Sequence, residues 1–183
     1  MCCGTEREVT ITCPLDCVHL LAAREHEKPP APQGEMPYPE VRVNDDFLAS
    51  NRDLAMAAGQ MLLVAALTSG DANDFDVRDA LDALIRTYKT RDSGLVYETR
   101  PANPMAAAVQ ARFEQDLEKL REAVAQQSGV HSIRDKDVLG VLVFWARAER
   151  ARNNGRRRSR AFLYSLGSLV PPQQQPQGTI AGA

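Results

Sequence analysis

The sequence predicts a mostly α-helical protein: a bundle of about five helices carrying a small N-terminal zinc knuckle made of one short strand and one helix. Three observations carry that expectation. Aromatic residues are only 5% of a 183-residue chain in which alanine and leucine abound, a balance that suits helices better than sheets. Apolar residues recur three and four apart through several long stretches. All four cysteines fall within the first seventeen positions, as two close pairs.

The knuckle is expected over residues 1–28. Its spacing is C-C-x9-C-x3-C, from Cys2 and Cys3 to Cys13 and Cys17. Glu8-Val9-Thr10-Ile11-Thr12 alternates polar and apolar or β-branched residues, a short strand pattern. Pro14 suits the first turn of a helix, which would set Cys13 and Cys17 one turn apart on one face. Four thiolates then close a tetrahedral site, and zinc fills such a site structurally, with no open position for water. His19 and His26 are poorer ligands, lying about 200° and about 180° round that helix from Cys17. Competing readings of the cysteines are a buried apolar role and a cysteine-based redox sensor. No basic start followed by an apolar run marks a signal peptide, so a reducing, cytoplasmic setting is expected.

The first helix should run from Leu15 to about Glu27. Residues 29–44 hold Pro29, Pro30, Pro32, Pro37 and Pro39, a density that reads as a spacer between knuckle and bundle. The bundle should occupy 45–168. Asn44-Asp45-Asp46 caps a second helix running unbroken to about Thr68, with Phe47, Leu54, Met61 and Leu62 inward. Asn73 or Asp74 caps a third, in which Val77, Ala80, Leu81, Leu84, Ile85 and Tyr88 form one apolar stripe; Gly94 ends it. A fourth spans about Pro104 to Gln127, with Val109, Phe113, Leu117, Leu120 and Val124 buried. Ser132 with Asp135 resembles a capping box for a fifth, continuing to about Arg152 and almost wholly apolar in its first half. A last helix is expected from about Arg157 to Leu166, and the glutamine- and proline-rich tail 169–183 should be disordered.

No apolar run is long enough for a bilayer, and a net charge of −2 gives no bulk attraction to nucleic acid. Charge is nonetheless concentrated locally. Arg147, Arg150, Arg152, Arg156, Arg157, Arg158 and Arg160 against Glu149 give +6, the pattern of a phosphate-backbone contact surface. The Asp71–Asp82 stretch, with five aspartates against Arg78, gives −4 and is a natural internal partner for those arginines. Three scattered histidines and the absence of a phosphate loop, a G-x-S-x-G elbow or an H-E-x-x-H motif give no catalytic signature. The function expected is therefore non-catalytic: a zinc-binding helical adaptor or regulator that binds another macromolecule, a protein first. Nucleic-acid binding through Arg147 to Arg160 is the alternative.

Overall fold

In a computed structural model that describes residues 6–26, 35–94, 97–128 and 133–169, the chain forms seven helices: α1 (Val18–His26), α2 (Asp45–Ser50), α3 (Arg52–Thr68), α4 (Asp74–Asp92), α5 (Pro104–Ser128), α6 (Asp135–Arg152) and α7 (Ala161–Leu169). The expected helical architecture is present, and no strand occurs among the described residues. The expected disordered tail, beyond Leu169, lies outside them.

Four long helices make the bundle. α4 packs on α6 and α5, α3 packs on α5, and α7 lies against α3 and α6. The stripe read from the α4 sequence is the one buried: Val77, Ala80, Leu81, Leu84 and Ile85 have no solvent exposure. They meet Phe113 of α5, Leu142 of α6 and Phe162, Leu163 and Leu166 of α7, all buried. Each such aliphatic or aromatic side chain contributes about 1.5–3 kcal/mol by leaving water.

Two glycines set how closely the helices approach. A Cβ at Gly59 of α3 would stand 2.5 Å from Cζ2 of Trp145 on α6. The indole occupies that gap and donates from Nε1 to the Ala55 carbonyl at 2.9 Å. A Cβ at Gly140 would stand 2.3 Å from Cζ of Phe47, so α2 docks over the start of α6 through the missing side chain.

Several boundaries differ from the sequence expectation, each for a local reason. The single helix expected from 45 to 68 is two, because Asn51 leaves helical geometry (φ −118°, ψ 23°) while its backbone N–H and its side-chain amide both donate to the Phe47 carbonyl. The strand expected over residues 8–12 is instead a tight turn: the N–H groups of Val9, Thr10 and Ile11 all point to the Glu6 carbonyl, and Glu8 adopts a left-handed φ of 56°. The helix expected from Pro14–Leu15 starts at Val18, since residues 14–17 form a turn closed by Cys17 N–H to the Pro14 carbonyl at 3.2 Å. The first residue of α6 is preceded by Arg134 as its cap, not by Ser132, which lies outside the described residues. α7 begins at Ala161 rather than Arg157, because the backbone of 158–160 is claimed by tertiary bonds.

The described part of the proline-rich stretch is docked rather than hanging free. Arg147 of α6 donates to three of its carbonyls, those of Pro37 (3.2 Å), Tyr38 (2.8 Å) and Val41 (3.0 Å). The Tyr38 hydroxyl donates to Asp82 of α4 at 2.8 Å, and Lys89 pairs with Glu40. Burial beside the Asp82 carboxylate pushes the Tyr38 hydroxyl well above the ordinary tyrosine range.

Candidate functional site

Of the four cysteines, Cys2 and Cys3 lie outside the described residues. Cys13 is buried at 6% exposure, its Sγ directed at the Ile11 carbonyl 4.0 Å away, and Cys17 is half-buried. Cys13 precedes the 14–17 turn and Cys17 closes it, ahead of α1, so the strand-plus-helix geometry expected of the knuckle is not what the described residues form. His19 and His26 are exposed, and no group of three or more potential ligands gathers among the described residues.

The seven arginines do not form one free surface. Arg147 is spent on the docked segment, and Arg150 stands 3.6 Å from Asp82, the internal pairing that the charge pattern suggested. Arg156 meets Glu8 at 3.3 Å, Arg158 donates to Thr12 at 3.0 Å, and Arg160 is buried at 8% exposure. Arg152 and Arg157 are exposed.

What these arginines surround is a buried polar core that sequence reading missed. The Glu8 carboxylate has no solvent exposure. Its Oε1 accepts from Arg24 Nη2 (2.9 Å) and the Arg160 backbone N–H (3.2 Å); its Oε2 accepts from Asn154 Nδ2 (3.0 Å) and Arg156 Nη1 (3.3 Å). Its own carbonyl accepts from Arg158 N–H at 2.8 Å. Burial works to raise this carboxyl, but the Arg160 N–H and the Arg24 guanidinium outweigh it and hold the group below its ordinary value. Nothing in a lone glutamate within an alternating stretch announces such a role.

Two further buried acids tie the helices together. Asp74, the first residue of α4, caps α7: its carboxylate accepts from Ser159 Oγ (2.7 Å) and from the N–H groups of Phe162 (3.1 Å) and Leu163 (3.2 Å). Its backbone N–H returns to the Ser159 carbonyl at 2.8 Å. Burial, helped by nearby Glu149, raises its pKa to about 7 despite those donors. Glu149 of α6 receives a two-pronged contact from Arg78 of α4 (2.8 and 3.0 Å) and a third bond from Asn153 at 2.7 Å. The sequence did mark Asp74, though as a cap candidate for its own helix; that role belongs to Asn73, in a full capping box with Asp76.

An open cleft of 440 Å³ lies where the α2–α3 junction faces the end of α5 and the start of α6. Leu54, Ala57, Leu120, Val124 and Ile133 line it together with Asn51, Arg52, Asp53 and Asp137. Asp137 is engaged by Arg134 at 2.7 Å, so its carboxylate serves the start of α6.

No protein-family model matches the chain, and neither a curated protein nor a solved structure is found to be similar to it.

Proposed function

We propose that this chain is a non-catalytic helical protein that binds another macromolecule, a protein first. One contrast supports binding over chemistry. The buried acids Glu8, Asp74 and Glu149 are each spent joining two parts of the fold, while Val18, Met36 and Tyr97 stand in solvent at 70, 61 and 67% exposure. Large apolar side chains left that open gain free energy when a partner covers them. Affinity capture with the native chain and with a Val18→Ser/Tyr97→Ser variant tests the reading. A partner held by the first and lost by the second is expected; identical captures would refute it.

A structural zinc on Cys2, Cys3, Cys13 and Cys17 belongs to the same proposal, supported by the number and spacing of the thiols. Metal analysis of the purified protein should give about one zinc per chain, lost on Cys13→Ser or Cys17→Ser. A metal-free chain removes it.

The exposed Arg150, Arg152, Arg157 and Arg158 support polyanion binding as a second reading. With ~4 phosphate contacts, the affinity for a DNA duplex should fall with salt at a log–log slope of about −3.6. A flat salt response leaves the protein-partner reading alone.

A further inference from the structure

The seat of Glu8 has more binding capacity than a carboxylate uses. Four donors from three places converge on it: Arg24 on α1, Asn154 and Arg156 in the α6–α7 loop, and the Arg160 backbone N–H just before α7. Arg24 is aimed into this seat with its side chain 10% exposed, yet only Nη2 reaches Glu8. Its Nε and Nη1 are buried without an acceptor, and so is Nε of Arg160. Two guanidinium groups, those of Arg24 and Arg156, therefore gather at one monoanion. Buried donors left without partners are costly, so the cluster favours an acceptor with more oxygens and more charge. Glu8 itself sits in a left-handed conformation (φ 56°), which a β-carbon-bearing residue holds only under strain.

We infer that this seat is an oxyanion-binding site, filled in cis by Glu8 and opened to a phosphoryl group when the N-terminal turn lifts away. A phosphate monoester or inorganic phosphate brings three or four acceptor oxygens and nearly two negative charges, against two oxygens and one charge for the carboxylate. Planar arginine forks match that geometry, and a backbone N–H adds a directional fourth donor. Exchange needs no covalent step: the carboxylate leaves with residues 6–12, and the phosphoryl group takes its place on Arg24, Asn154, Arg156 and the Arg160 N–H. This inference does not depend on the macromolecule-binding reading and fails or stands separately from it.

The test is calorimetric titration of the full chain with inorganic phosphate and, in a second arm, phenyl phosphate, both against chloride at matched ionic strength. Glu8→Gln removes the competing charge with the shape retained, and should bind at least about 10-fold more tightly than the native chain. Adding Arg24→Gln to Glu8→Gln should abolish the gain. Preference for phenyl phosphate over the free ion identifies an esterified ligand, and the reverse identifies the free ion. Equal, negligible binding by the native chain and Glu8→Gln overturns the inference. Should Glu8→Gln fail to fold, the native chain decides: phosphate, and not chloride, should accelerate proteolysis within residues 6–17. Unchanged proteolysis then overturns it.

Discussion

Replacing Gly59 by alanine tests the closeness of the α3–α6 contact. In an exposed helix the change would stabilise by about 1 kcal/mol, since alanine is the better helix former. Here the new methyl would meet Trp145 Cζ2 at 2.5 Å and two further indole carbons at 3.1 Å. The ring has nowhere easy to go: Trp145 is 2% exposed, edge-on to Phe144 with ring centres 4.8 Å apart, and tied by Nε1 to the Ala55 carbonyl. Overpacking of this kind costs about 1–3 kcal/mol. Shifting the indole off Ala55 strands a buried donor for about 1–3 kcal/mol more. Set against the helix gain, the expected net loss is about 3 kcal/mol. Trp145 is the chain's one tryptophan, so urea unfolding followed by its emission reads both the stability and the local environment. Gly167→Ala is the internal control. That residue is also inside a helix, but the nearest atom to a new Cβ is Leu63 Cδ2 at 3.9 Å, an ordinary contact. It should stabilise by up to about 1 kcal/mol. If Gly59→Ala matched Gly167→Ala, the close approach of α3 to the indole would be wrong.

Two further outcomes follow from the buried acids. Glu149→Ala leaves the Arg78 guanidinium without its two-pronged partner and should cost about 3–5 kcal/mol, measured by denaturant unfolding; replacing both by apolar residues, Arg78→Met with Glu149→Leu, should recover most of it. A double replacement no better than Glu149→Ala would show that the pair does more than satisfy its own charges. Asp74 gives a pH dependence whose sign follows from its raised pKa. Between the ordinary 3.8 and about 7 the native state holds a proton that the unfolded chain has lost, so stability falls as pH rises through that window. Relative to Asp74→Asn, the native chain should lose about 2 kcal/mol between roughly pH 5 and pH 7, by thermal or urea unfolding. A difference that does not change across that range would place the Asp74 proton elsewhere.

The parts of the fold legible in the chain were those governed by neighbours three and four residues away. The α4 stripe, the apolar first half of α6, the Asn44 cap and the Gly94 stop all follow from local spacing and local backbone chemistry, and each occurs where it was expected. The N-terminal segment did not follow. Its alternating residues read as a strand and its thiols as a knuckle, but Glu8 and Thr12 within it are held by donors about one hundred and fifty positions later, at Asn154, Arg156, Arg158 and Arg160.

By itself, then, the sequence determined the helical class, the core-facing stripes and most helix ends, because helix periodicity and capping are short-range. The tertiary structure alone decided what the charged residues are for. Within the run of arginines it gives Arg156 to Glu8 and Arg147 to the carbonyls of residues 37–41, leaves Arg152 and Arg157 exposed, and makes a glutamate from an alternating stretch the centre of the N-terminal contact. Burial turns each such pairing from a weak, screened surface attraction into a constraint on the backbone, and burial is a property of distant segments meeting, which no local pattern encodes.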